Sequence, residues 1–321
     1  MAHGGAARGN DRFGVQPGLT VLLVTGAAGF LGTNVLRAAA AQERDVVAAT
    51  NKGHTLIATA GLVHADLTDK AVVREMIGAI RPEWVLNCAA LANLDECEKD
   101  PAKARLLNVM AAGNLAAACA EFGARLAHIS TDSVFDGNRA MYSEDDVPSP
   151  VNVYAMTKLE SERAVRELLP KSLVVRTNFI GIPVTPGAGL ADWIASSVES
   201  GRPIKGFDDV IFSPLLATTL AERLFDMMDA RLTGLYHLGA SDSMSKYHLA
   251  VAIAGEMGYP DAKIERASLS DLPSAVKRPL NTSLVSKRAE AALKTKMPTV
   301  LEAVKGFVAQ RQELSQSTVT G

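Results

Sequence analysis

Beyond position 18 the chain alternates short runs of β-branched and Leu residues with longer stretches whose apolar positions recur at three- and four-residue steps. That alternation predicts parallel strands joined by crossover helices. Residues 19–25 (LTVLLVT) are a nearly unbroken apolar run, as expected of a central strand covered on both faces, and the Ala-rich stretch 33–43 supplies the first helix. Residues 45–50 form a second strand. In the next helix Val72, Val73, Met76, Ile77 and Ile80 share one face, and Pro82 marks its end. Strands at 84–89, 125–130 and 172–177 alternate with helices at 102–122, stopped by Gly123, and at 153–169, stopped by Pro170. The pattern predicts an α/β fold with a doubly wound parallel sheet.

From Gly181 the texture changes, with Pro183, Pro186, Gly187 and Gly189 breaking the chain and shorter helices expected near 191–200, 218–230 and 246–257. The expected organisation is a tail at 1–18, a dinucleotide-binding domain at 19–180 to which 215–240 returns, a substrate-binding region at 181–214 and 241–315, and a tail at 316–321. The 48 % hydrophobic content is enough for a sizeable core. Lys and Arg number 33 against 35 Asp and Glu, so no basic field exists to hold nucleic acid or an anionic membrane. Cys88, Cys97 and Cys119 have neither metal-ligand spacing nor the density of a disulfide framework, and the six histidines are scattered; a cytoplasmic protein without a metal is expected. No apolar run approaches the roughly 20 residues that span a bilayer.

The first strand runs into Gly26-Ala-Ala-Gly29-Phe30-Leu31-Gly32 and a helix. Gly26 suits a tight turn, Gly29 a close approach of backbone to a pyrophosphate and Gly32 close helix–strand contact, with helix N–H groups facing the phosphate. Gly26, Ala28, Gly29, Phe30, Leu31 and Gly32 are candidate contacts of a dinucleotide on a Rossmann-type sheet. At the end of the second strand, where an acidic residue would grip the 2′-hydroxyl of NAD, the chain reads Thr50-Asn51-Lys52-Gly53-His54. Asn51 and Lys52 point instead to a 2′-phosphate, hence to NADP(H) in preference to NAD(H), unless Lys52 is an ordinary solvated lysine.

Tyr154 and Lys158 stand four residues apart at the start of a helix, one turn apart on one face. An ammonium there favours phenolate and is expected to lower the phenol pKa, fitting Tyr154 for proton exchange. Thr131, at the carboxyl end of the preceding strand, is placed to hydrogen-bond a carbonyl oxygen or, equally, to cap a turn. Asp132 and Ser133 beside it are candidate substrate contacts, with Asp132 and Asp136 also suited to holding the turn. His128 reads as a core residue, and Cys88 as a small apolar one.

Taken in order, the TGAAGFLG turn, Ala65-Asp66-Leu67, Asn87-Cys88-Ala89-Ala90, Leu94-Asp95-Glu96-Cys97-Glu98, the STDSVFDG loop, YAMTK, Arg176-Thr177-Asn178 and Arg278-Pro279-Leu280-Asn281 resemble the extended short-chain dehydrogenase/reductase family, and within it the dTDP-4-dehydrorhamnose reductase group. The resemblance implies a catalytic set of Thr131, Tyr154 and Lys158. It implies cofactor contacts from Asp66 and Leu67 at the adenine, from Ala89 and Ala90 along the ribose and diphosphate, and from Tyr154, Lys158 and Asn178, with Asn108 supporting the site. Arg278 with Asn281 is similar to an element near the substrate nucleotide, and Thr131, Tyr154, Asn178 and Arg278 join Asp132 and Ser133 as candidate substrate contacts. The implied activity is NADPH-dependent reduction of a nucleotide-linked 4-keto-6-deoxy sugar by a homodimer. Ser133 and Asn178-Phe179 depart from the Tyr and Ser-Trp usual in the rhamnose-forming enzymes, and Ser133 lacks the second carboxylate of the 4,6-dehydratases. Two alternatives remain: an epimerase or dehydratase that retains NAD, and a non-catalytic NADP-binding protein like the regulatory subunit of methionine adenosyltransferase.

Overall fold

The computed structural model describes residues 22–271 and 276–319. The expected tail at 1–18 and the first three residues of the 19–25 run lie outside them. In chain order the first half comprises β1 (Leu22–Thr25), α1 (Phe30–Ala41), β2 (Val46–Thr50), β3 (Gly61–His64), α2 (Lys70–Ile80), β4 (Trp84–Asn87), α3 (Leu94–Lys99), α4 (Pro101–Arg105), a π-helical turn (Leu106–Met110), α5 (Ala111–Phe122), β5 (Arg125–Thr131), α6 (Val153–Leu168) and β6 (Leu173–Thr177). The second half adds β7 (Phe179–Ile180), α7 (Leu190–Glu199), β8 (Ile204–Phe207), β9 (Ile211–Phe212), β10 (Leu215–Leu216), α8 (Ala217–Asp229), β11 (Gly234–Leu238), β12 (Met244–Ser245), α9 (Lys246–Glu256), β13 (Ile264–Ala267), α10 (Lys287–Leu293) and α11 (Val300–Val319).

Seven strands form one sheet in the order β11-β6-β5-β4-β1-β2-β3, every neighbouring pair parallel. The chain winds outward from β1 through β2 to β3, then returns to the other side of β1 as β4. That reversal opens a crevice at the carboxyl ends of β1 and β4, where an open α/β sheet takes its ligands. Both faces are covered. Leu23, Val47, Leu126 and Val174 face a core shared with Val73, Met76 and Ile77 of α2 and Leu115 of α5. Val24, Leu86 and Val175 face the other core, with Val35 and Leu36 of α1, Leu224 and Phe225 of α8 and Phe307 of α11. Burial of alternate residues on opposite faces is the reason the β1 run shows no polar alternation.

Two sequence expectations need correction. The helix foreseen at 102–122 is present as one continuous run but is not α throughout: the Asp100 carboxylate accepts from the Lys103 amide at 2.9 Å and caps its start, and a π-helical turn at Leu106–Met110 inserts an extra residue between α4 and α5. Helices α3, α10 and α11 were not foreseen, although Val300, Ala303, Val304, Phe307 and Val308 of α11 are all buried at helical spacing. No helix among the described residues is long and apolar enough to cross a membrane.

Candidate active site

A cavity of about 320 Å³ opens at the crevice. Gly26, Ala28 and Gly29 of the glycine turn line it, with Asn51 and Lys52 after β2, Asp66 and Leu67 after β3, and Ala89 and Ala90 after β4. The turn depends on its glycines. Gly26 has φ +67°, and a Cβ there would stand 2.6 Å from the Ala89 amide nitrogen; a Cβ on Gly32 would stand 2.2 Å from the Gly26 carbonyl oxygen. The amino end of α1 carries no side-chain cap and no acidic residue in its first turn, so its N–H groups are left for an anion.

Asp66 turns inward on Thr68, whose hydroxyl and amide donate to it at 2.7 and 2.9 Å; these bonds, with a smaller contribution from Lys52, hold its carboxyl below the usual range. Cys88 also lines the cavity, and burial pushes its thiol up to about 12, which removes the thiolate needed for reactivity. Phe30, Leu31 and Gly32, expected as cofactor contacts, do not line the cavity. Leu31 and Gly32 are buried in the α1 packing, and the Phe30 ring stacks edge-on against Phe179 at 5.2 Å. Asn108 does not line it either. It sits in the π-helical turn, accepts from the Leu91 amide at 2.7 Å and donates to the Leu91 carbonyl and the Thr157 hydroxyl, bracing one wall of the cavity against α6.

Helix α6 begins at a cap made by Asn152, whose side chain accepts from the Ala155 amide at 2.9 Å, and presents Tyr154 and Lys158 toward the end of β5. The Thr131 hydroxyl stands near enough to the Tyr154 phenol to oppose part of the rise in its pKa. It also takes part in the turn, accepting from the Ser133 amide at 3.2 Å and donating to Asp132 at 3.1 Å. The Lys158 ammonium donates to the Ile129 carbonyl at 2.7 Å. The expected effect on the phenol is reversed in this structure: burial pushes Tyr154 up to about 12, the Asp132 charge adds to it, and the Thr131 hydroxyl only partly opposes it. Lys158 is itself desolvated and lowered to about 8, with Glu162 partly restoring its charge. Sequence spacing carries the proximity of the two groups but not their burial, and here burial decides the sign.

Beneath the pair lies a polar chain that joins the two halves of the site. Asn87 accepts from the Thr25 hydroxyl at 2.8 Å and the Ala89 amide at 3.1 Å and donates to His128 Nδ1 at 3.0 Å. His128 Nε2 meets the Ser161 hydroxyl at 3.0 Å, which donates to the Lys158 carbonyl at 2.7 Å. Burial holds His128 well below the usual histidine range, so its neutral Nε2–H tautomer completes the chain. Below that, Glu162 of α6 receives Arg176 of β6 through two bonds, at 2.9 and 2.7 Å, and the Ser130 hydroxyl at 2.5 Å.

A second cavity, of about 260 Å³, lies on the far side of the Thr131 loop and is lined by Ser133, Asn178, Lys246, Arg278 and Thr282 among others. Asn178, expected to touch both cofactor and substrate, lines this cavity and not the dinucleotide one, and donates to Asp132 at 2.9 Å. Asp132 is not a free contact. Its buried carboxylate takes hydrogen bonds from Thr282 at 2.5 Å, Asn178, Thr131 and Ser133, and still lies above its ordinary pKa because of burial. Asp136 holds its own turn through Tyr142 and Asn138, and the Asn281 side chain accepts from Ser283 instead of reaching the cavity. Lys246 and Thr282 were missed by sequence reasoning. Both come from the last third of the chain, and no local motif marks them.

Residues 20–313 match the family described as RmlD substrate binding domain. The chain belongs to that family. It is an extended short-chain dehydrogenase/reductase of the sugar-nucleotide reductase type. A dTDP-4-dehydrorhamnose reductase of Mycobacterium tuberculosis is 32 % identical over 277 residues, covering 83 % of this chain and 85 % of that protein. Methionine adenosyltransferase 2 subunit beta of Rattus norvegicus is 32 % identical over 289 residues, covering 84 % and 81 %. Among solved structures, a dTDP-4-dehydrorhamnose reductase of Bacillus anthracis in complex with NADP superposes with a TM-score of 0.81 at 27 % identity, covering 91 % of this chain and 99 % of that one. Within this RmlD-type fold the first cavity is lined from the glycine turn and the second from Ser133, two residues beyond Thr131.

Proposed function

We propose that the protein is an NADPH-dependent reductase of the keto group of a nucleotide-linked 4-keto-6-deoxy sugar, with NADH as the weaker alternative. The observation that carries the reading is the gathering of Tyr154, Thr131 and Lys158 at the carboxyl end of β5, with Lys158 one turn beyond Tyr154 on α6, in a fold whose glycine turn lines a cavity at the sheet crevice. The dinucleotide cavity fits NADP: its turn tolerates no Cβ at Gly26, the α1 amino end is uncapped, and Lys52 stands where a 2′-phosphate needs a cation. Asp66, Leu67, Ala89 and Ala90 would border the adenosine and diphosphate, and the bound nicotinamide supplies hydride to a carbonyl carbon.

The protein's own part is to hold and deliver a proton. Thr131 and Tyr154 converge on the position of a carbonyl oxygen, where their hydroxyls stabilise the charge that develops as hydride arrives. A phenol raised to about 12 keeps its proton at neutral pH, which suits a general acid for reduction. Lys158, one turn beyond on α6 and held on the Ile129 carbonyl, would support the oxyanion left after transfer. A purely regulatory protein has no chemical use for the three residues together. The family reading brings with it a homodimer in the cytoplasm.

The direct test is NADPH oxidation by the purified protein with dTDP-4-keto-6-deoxyglucose, with and without a 3,5-epimerase; NADPH binding without oxidation would remove the reading. Lys52→Ala should weaken NADPH about tenfold, the scale of one charge-assisted hydrogen bond, and leave NADH unchanged by fluorescence titration. In the pH profile of kcat/KM, activity should be level below about 8 and fall as pH rises through that value, because the Lys158 ammonium is then lost while Tyr154 stays protonated. Lys158→Arg, which cannot deprotonate in that range, should remove the inflection from whatever activity remains.

A further inference from the structure

The second cavity gathers two cations. Lys246 enters it from the first turn of α9, and Arg278 from the segment that follows β13. Arg278 is the residue that the sequence already linked to the substrate nucleotide; Lys246 has no assigned role. Among the described residues neither forms a salt bridge. The Nε of Arg278 is buried without a hydrogen-bond partner. Among the described residues the Lys246 ammonium has no ion pair. Burial and the neighbouring Arg278 both push Lys246 toward its neutral form, and only Asp132 opposes them.

The nearby carboxylates are committed elsewhere. Asp132 takes four hydrogen bonds from hydroxyls and an amide. Asp208 binds Arg266, Ser245 and His248. Asp209 accepts from the Ser268 hydroxyl at 2.6 Å and the Leu269 amide at 2.9 Å. Two like charges in one half-buried cavity, with every adjacent carboxylate engaged, leave the complementary negative charge to come from outside the chain. A diphosphate has that charge, with oxygens enough for a guanidinium and an ammonium at once.

We propose that Lys246 is a specificity residue which, with Arg278, seats the diphosphate bridge of the nucleotide-linked substrate. The inference rests on the sugar-nucleotide reading above and extends it to a residue on α9. It also fixes polarity in the cleft: the diphosphate lies toward α9 and the sugar toward Ser133 and Tyr154.

The test is calorimetric binding of dTDP, thymidine, inorganic pyrophosphate and NADPH to the wild-type protein and to Lys246→Met. NADPH reports on the other cavity and serves as the folding control. The methionine variant should bind dTDP and pyrophosphate about 10- to 100-fold more weakly, the range for one charged hydrogen bond, with NADPH and thymidine unchanged. Lys246→Arg should recover most of the loss, and the salt dependence of dTDP binding should be shallower in Lys246→Met. A Lys246→Met protein that binds dTDP as tightly as wild type overturns the role of Lys246 and leaves the reductase reading intact. Wild-type protein that binds neither dTDP nor pyrophosphate overturns both.

Discussion

Tyr154→Phe should lower the turnover of keto-sugar reduction by about 10²- to 10⁴-fold, the contribution of a positioned general acid, while NADPH affinity stays within about twofold. The substitution removes one oxygen, which stands near the Thr131 hydroxyl. Thr131 keeps its bonds to Ser133 and Asp132, so the loop is not left with an orphaned group. Tyr154 does not line the dinucleotide cavity, which is why binding and turnover should separate. Stopped-flow measurement of NADPH oxidation, beside a fluorescence titration, reads both. Undiminished turnover in the phenylalanine variant would remove Tyr154 as the acid.

Glu162→Ala should cost about 3–5 kcal/mol of stability, as does breaking a buried ion pair from one side. The side chains of Glu162 and Arg176 are 3 % and 4 % exposed, and their charge-assisted bonds are mutual. Without Glu162, Arg176 keeps its charge in the core with Nη1 already unpartnered, and the Ser130 hydroxyl loses its acceptor. Urea unfolding measures the loss. Glu162→Leu combined with Arg176→Met should recover most of it, since an apolar pair of similar volume carries no desolvation penalty. A functional consequence goes with the structural one. Glu162 raises the pKa of Lys158, so in any folded Glu162 variant the inflection expected near 8 should move to lower pH. An unmoved inflection together with full stability would show that the pair does not act on Lys158.

The glycine turn could be read from sequence because every requirement is local. A strand, a residue at positive φ, a close approach at Gly32 and a helix start follow one another within eleven residues, 22–32, and the cavity is found where they put it. The Tyr154–Lys158 pairing could be read for the same reason, from helical spacing alone. The state of those two groups could not. A spacing rule treats Lys158 as a solvated cation able to depress the phenol, whereas in the fold both are desolvated and the phenol rises. Asp132 shows the same limit from another side. As a loop carboxylate beside Thr131 it reads as a contact, and only Thr282, brought in from the far end of the chain, reveals it as an internal anchor. The π-helical turn at Leu106–Met110 escaped because Ala-rich sequence favours α-helix throughout, and the extra residue goes with the Asn108 brace.

The Asp132–Thr282 bond spans 150 positions, whereas the residues lining the dinucleotide cavity all fall between Gly26 and Ala111. Synthesis runs from the amino end, so the ribosome delivers the whole lining of the cofactor cradle well before the hydroxyl that caps Asp132. Until Thr282 arrives, the growing chain carries a carboxylate beside Thr131 that lacks one of its four donors. The Asp132 anchor is therefore completed late in synthesis, after every residue that lines the cofactor cavity and before α11, whose Val304 and Phe307 fill the core behind β1.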